Sequence, residues 1–112
     1  MRWDQVLDRL RECGWDPDEE DFVENYGLYA IDERRIPPGR HFRCTRGHAV
    51  FDGADIEILS FPSEDEALEF LGLVEDEGGW IAKRNVLVRT TGSRRSILNR
   101  MRRSVGELLG PL

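Results

Sequence analysis

The sequence has few of the features that mark membrane, secreted or cofactor-binding proteins. Its 112 residues include two cysteines, two histidines and a single lysine among 16 basic residues. The uninterrupted apolar runs are only a few residues long, far below the roughly 20 residues that cross a bilayer. The charged start of the chain lacks the pattern of a signal peptide. We therefore expect a cytoplasmic protein with no membrane association.

Length and hydrophobic patterning predict one small domain. Ten aromatic residues argue against disorder, and a chain of this length can form a core without disulfide bonds. We expect a single α+β domain over residues 1–112, with two layers, a mainly antiparallel sheet of about five strands, and helices packed on one face. The predicted elements are a helix over 3–10, an acidic loop or helix start over 16–21, a strand over 26–31, a hairpin over 41–61, a helix after Ser63, a hairpin over 80–88 and a helix after Ser93.

Three local signals support these boundaries. Asp52-Gly53 is typical of a type I′ hairpin turn, in which both central residues have positive φ. Ser63 and Glu66 have the spacing of a capping box, which marks the start of a helix. Gly110-Pro111 fits the end of the last helix.

The predicted strand after residue 53 carries a mixed pattern. Ile56 and Ile58 alternate with acidic residues, as expected for a strand with one buried face. Leu59 and Phe61 break this alternation. The break indicates that the strand is covered on both sides near its end.

One stretch of the chain resembles a known group of proteins. Phe61–Ala67, followed by Gly79-Trp80-Ile81 and Asn85–Val88, resembles a loose group of small actinobacterial domains of unknown function, in which Val86 would replace a tryptophan. Many members of that group are exported lipoproteins with a cysteine pair, which Cys13 and Cys44 would match. The resemblance implies no activity.

Charge is distributed unevenly, which permits two opposite functions. Residues 1–79 carry 8 arginines against 21 acidic residues, whereas residues 80–112 carry 8 basic residues against one glutamate. The simplest interpretation is that the acidic and the basic regions are both solvated surfaces of the fold. The acidic part also fits a surface for a basic protein partner, by electrostatic complementarity. Its predicted contact residues combine acids with aromatic residues that often anchor interfaces: Asp18, Glu19, Glu20, Asp21, Phe22 and Tyr26.

A non-catalytic protein-binding or regulatory domain is therefore the main prediction, with self-association through a sheet edge as a further possibility. The alternative is a nucleic-acid-associated protein, because the last predicted helix is rich in arginine. Its phosphate contacts would be Arg94, Arg95, Arg100, Arg102 and Arg103. The same helix has an apolar stripe, so it can equally be a core helix with a solvated arginine face.

The cysteines and histidines give a second alternative. Cys13, His41, Cys44 and His48 could supply four zinc ligands, although positions 41 and 44 of an extended strand point to opposite faces. Two buried thiols or a disulfide are the simpler interpretations. No glycine-rich phosphate loop, catalytic motif or paired carboxylates can be identified. We therefore predict neither an enzyme nor a cofactor.

Overall fold

The computed structural model describes residues 2–51, 54–74, 79–92 and 95–109. The predicted Asp52-Gly53 turn, the Ser93 cap, Arg94 and the Gly110-Pro111 helix end lie outside these ranges. Within them the chain forms three helices and five strands, which are α1 (Trp3–Glu12), β1 (Glu19–Ile31), β2 (Gly39–Phe51), β3 (Ala54–Ser60), α2 (Glu64–Val74), β4 (Trp80–Lys83), β5 (Val86–Gly92) and α3 (Arg95–Leu109).

The strands form one antiparallel sheet in the order β1-β2-β3-β5-β4. Consecutive strands pair except where α2 lies in the chain between β3 and β4. The predicted α+β class, with a five-stranded antiparallel sheet, is confirmed. The predicted hairpins over 41–61 and 80–88 correspond to β2–β3 and β4–β5, and the Ser63 hydroxyl accepts a hydrogen bond from the Glu66 amide at 3.2 Å at the start of α2.

The helices cover both faces of the sheet, which corrects the expected arrangement on one face. Ile56 and Ile58 of β3 belong to a core shared with α1 and α3. Leu59 of β3 and Leu87 of β5 point the other way, into a core shared with α2. Successive strand residues alternate between the two faces of the sheet. Apolar residues at adjacent positions are therefore both buried only if other elements pack on both faces. The break in alternation at Leu59 was the sequence signal for this second cover.

The predicted acidic loop or helix start over 16–21 is a loop only over 16–18, and residues 19–21 are the start of a strand. β1 begins at Glu19, which pairs with Val50 of β2. Acidic residues are poor strand formers, so local propensity is overridden here by contacts with distant residues. Arg11 of α1 forms an ion pair with Glu20, and His48 of β2 lies 3.3 Å from Asp21.

The two long strands β1 and β2 extend beyond the rest of the sheet. β3 pairs with residues 45–51 of β2, whereas residues 39–44 of β2 pair with β1. Phe42 and Cys44 of this ribbon pack in the core of α2. The opposite side of the ribbon carries exposed Tyr29 and Ile31. No helix in the described ranges is both long enough and apolar enough to cross a bilayer.

Candidate functional site

The predicted acidic and aromatic residues come together along β1, at one edge of the sheet. All six lie within or directly before this 13-residue strand. Five are exposed, and Tyr26 is half-buried. A β-bulge between Val23 and Tyr26 divides the strand into an acidic half and an apolar half.

Alternation distributes the acidic half of β1 over both faces of the sheet. Phe22 lies on the α1 side, where its ring stacks on Trp3 with centroids 5.1 Å apart. Glu20 lies on the same side and pairs with Arg11. Asp21 lies on the α2 side beside His48. The predicted surface is therefore a strand edge flanked by two small clusters.

Two acids of β1 make no ion pair with any described residue. They are Glu19, at the start of the strand, and Glu24, at the bulge. Two exposed apolar side chains lie between them along the strand. Phe22 is 53% exposed and Val23 is 45% exposed. The outer edge of β1 thus combines unneutralised carboxylates with exposed apolar surface.

Sequence reasoning missed a polar row on the α2 side of the sheet. Asp21, His48, Glu57, Arg89 and Trp80 are successive register partners across all five strands. Arg89 Nη2 donates to Glu57 Oε1 at 2.9 Å, and its guanidinium lies 4.5 Å from the Trp80 ring centroid. The only local signal was the acidic residue between Ile56 and Ile58, since the register that aligns these residues is not visible in one sequence.

A second arginine completes this row. Arg46 Nε donates to Glu57 Oε2 at 2.6 Å, so both carboxylate oxygens of Glu57 bind guanidinium groups. The guanidinium of Arg46 also lies 5.5 Å from the Tyr26 ring centroid. Through these contacts Glu57 of β3 joins β2 and β5.

The cysteines and histidines that were candidate zinc ligands are not brought together. Cys44 is buried against α2, whereas His41 points to the opposite face of the same strand and Cys13 is exposed at the end of α1. The described residues contain no group of three potential metal ligands. Both cysteines are free, so the cysteine pair suggested by the resemblance is not a disulfide in this fold.

Burial also makes Cys44 a poor nucleophile. Desolvation, reinforced by the nearby charge of Glu57, raises the pKa of the Cys44 thiol to about 12. The thiolate is the reactive form of cysteine. Cys44 is therefore almost fully protonated near neutral pH.

Two of the arginines of α3 contact the rest of the fold. Met101 and Val105 of this helix are fully buried, as expected from its apolar stripe. The guanidinium of Arg100 lies 4.6 Å from the Trp15 ring centroid, and Arg102 Nε donates to Thr90 Oγ1 at 3.3 Å. Two of the predicted phosphate contacts thus also touch the fold. All four that lie in the described part are exposed, namely Arg95, Arg100, Arg102 and Arg103.

Compared with models of known protein families, with curated proteins and with solved structures, the chain matches none. Roles for its residues therefore follow from its own geometry.

Proposed function

We propose that the protein is a non-catalytic binding domain that docks an extended, basic segment of a partner protein along the outer edge of β1. The observation that carries this proposal is the position of the acidic segment. Its residues 19–21 begin a 13-residue strand at the edge of the sheet. An edge strand presents backbone donors and acceptors that another chain can pair with.

The backbone direction supports this docking mode. The Asp18 amide, directly before the strand, donates to the Val50 carbonyl of β2 at 2.7 Å. Glu19 lies directly opposite Val50, whose carbonyl points toward β1, so the Glu19 amide points toward β2. Amides alternate in direction along a strand that has one paired side. The amides of Glu20 and Phe22 therefore point away from β2, toward an added strand. The bulge after Val23 ends this regular stretch.

The side chains favour a basic and partly apolar partner. Glu19 and Glu24 carry charge that no described residue neutralises. Exposed ion pairs contribute only about 0.2–1 kcal/mol each, so these acids mainly select the partner and speed its association. Backbone hydrogen bonds, together with contacts to Phe22 and Val23, would provide most of the affinity.

The experiment is a nuclease-treated pull-down from the source organism, using matched variants of the full chain as baits. Glu20→Pro removes an outward amide, whereas Glu20→Ala removes the same carboxylate but keeps the amide. We expect a discrete basic protein to bind the unmodified chain and Glu20→Ala, and to be lost with Glu20→Pro. Thermal unfolding of each bait checks that it is folded.

A second pair of variants tests the charge. Glu19→Gln with Glu24→Gln should slow association with the captured partner, and the slowing should shrink as salt is raised. Glu12→Gln with Glu33→Gln makes the same charge change at exposed positions away from the strand edge, and should leave the rate unchanged. Equal retention by Glu20→Pro and Glu20→Ala, or retention that is seen only when nuclease is omitted, would contradict the proposal. The second result would favour nucleic-acid binding through α3.

A further inference from the structure

A pocket of about 460 Å³ opens on the α1 side of the sheet, where three irregularities of the fold coincide. The first is the bulge of β1 at Glu24 and Asn25. The second is the end of β3 at Ser60, beyond which β2 continues without it. The third is the start of α1 at Arg2. Pockets that bind small molecules commonly have volumes of roughly 300–1,000 Å³.

Hydrogen-bond donors from separate elements line this pocket. β2 contributes the Arg43 guanidinium and the Thr45 hydroxyl, β3 contributes the Ser60 hydroxyl, and the turn before β5 contributes Asn85. The Ser60 hydroxyl oxygen is buried and makes no hydrogen bond in the described part of the chain. Buried polar groups are normally paired, so this hydroxyl is suited to bind a polar ligand.

The charge of the pocket favours an anion. Arg43 makes no ion pair with a described residue, and Gly27, directly opposite in β1, leaves room for its guanidinium, which would lie 3.3 Å from a Cβ at that position. Arg2 Nε lies 3.6 Å from Oδ1 of its helix neighbour Asp4, and the Arg2 amide donates to Gln5 Oε1 at 2.8 Å. Two arginines and one acidic residue, Glu24, line the pocket. Guanidinium groups bind carboxylates and phosphates through paired hydrogen bonds.

The floor of the pocket is fixed. Asn85 Nδ2 donates to the Phe61 carbonyl at 2.9 Å, and the Phe61 amide donates to the Asn85 carbonyl at 2.8 Å. Thr45 Oγ1 donates to the Glu24 carbonyl at 3.3 Å, which ties the bulge to β2. When the elements that form a site are already fixed by hydrogen bonds, little conformational entropy is lost on ligand binding.

We infer that this pocket binds a small organic anion, with its carboxylate or phosphate group held by Arg43 and Arg2 and by the Ser60 hydroxyl. The inference does not rest on the docking edge, although Glu24 belongs to both sites. The pocket lies on the face of the sheet, and the docking edge uses outward backbone groups of residues 19–23.

The test is an NMR titration of the full chain, labelled with ¹⁵N, at constant ionic strength. Inorganic phosphate, citrate and L-glutamate are the probes, and glycerol is the neutral control. We expect saturable shifts that cluster at residues 43–45, 60 and 85 with at least one anion. Saturation by phosphate alone would assign a phosphorylated ligand, and saturation by the carboxylates alone would assign an organic acid.

Matched arginine variants decide whether the pocket is responsible. Arg43→Met keeps the aliphatic part of the side chain but removes its charge, and should weaken binding at least tenfold. Arg34→Met removes an exposed arginine outside the pocket and should leave binding unchanged. Ser60→Ala removes the buried hydroxyl with little change in side-chain volume, and should weaken anion binding independently of Arg43. An absence of saturable shifts with all three anions, or equal weakening by Arg34→Met, would overturn the inference.

Discussion

The contact between Trp3 and Gly47 gives the sharpest stability prediction. The ring of Trp3 lies directly on the buried backbone of Gly47 in β2. A Cβ at position 47 would lie 2.6 Å from Trp3 Cε3 and 2.8 Å from Cδ2. Favourable carbon contacts are about 3.5–4.0 Å, so Gly47→Ala forces the indole outward by about 1 Å.

The magnitude follows from three contributions. Overpacking of this kind costs about 1–3 kcal/mol. Displacement of the indole also weakens its stacking on Phe22, an interaction that contributes about 0.5–1.5 kcal/mol. Alanine restricts the unfolded chain more than glycine does, which offsets about 0.5–1 kcal/mol. We expect a net destabilisation of about 1–3 kcal/mol, or a fall in Tm of roughly 4–12 °C for a domain of this size.

A double-mutant cycle measured by urea unfolding tests the cause. In a Trp3→Ala background the clash is absent, so Gly47→Ala should become neutral or slightly stabilising. The coupling energy between the two positions should be about 2 kcal/mol. Additive effects, with coupling below about 0.5 kcal/mol, would refute the view that Gly47 is needed to seat the indole.

Three further predictions concern ionisable groups. Cys13 should react with a thiol reagent in the folded protein, whereas Cys44 should react only after unfolding. Burial raises the pKa of Cys44 to about 12, so the thiol of the unfolded chain loses its proton at a lower pH than that of the folded chain. The free energy of unfolding should therefore fall by up to about 1.4 kcal/mol per pH unit above about pH 9. Cys44→Ala should remove this pH dependence. Hydrogen bonds from the Arg34 side chain and amide, with the nearby charge of Arg35, lower the pKa of Asp32. The contribution of Asp32 to the free energy of unfolding is therefore present above about pH 4 and is lost on acidification. Asp32→Asn should lose less stability than the unmodified chain between pH 5 and pH 2. Glu57→Gln should destabilise the fold by about 1–3 kcal/mol in urea unfolding, since Arg46 and Arg89 lose their shared carboxylate; an unchanged midpoint would show that the polar row does not join the strands.

Much of the fold could be predicted from the sequence because its signals are local. The capping box at Ser63 fixed the start of α2, and alternation at Ile56 and Ile58 identified β3. The acidic half of β1 could not be predicted this way, because it is a strand only by pairing with β2. The break in alternation at Leu59 did indicate the second helical cover, but the expected fold did not use it.

The candidate site was predictable only in part. Composition identified the acidic residues, but not their position at a sheet edge, because strand order depends on pairing between distant segments. The polar row through Glu57 and the pocket at Arg43 each combine residues from several elements. Neither has a spacing that is recognisable along the chain. The zinc ligand set failed for the opposite reason, since residues close in sequence lie on opposite faces of one strand.

The two-sided packing of the sheet has a consequence for how the protein opens. β3 and β5 contribute Leu59 and Leu87 to one core and Ile58 and Val88 to the other. Loss of α2 alone would expose one core and leave the other intact, so partial opening does not require global unfolding. Amide hydrogen exchange should therefore be slowest in these two strands and faster in α2 and in the β1–β2 ribbon, whose residues 39–44 have a strand neighbour on only one side. The two cores of the domain then open at different rates, although both are built on the same pair of strands, β3 and β5.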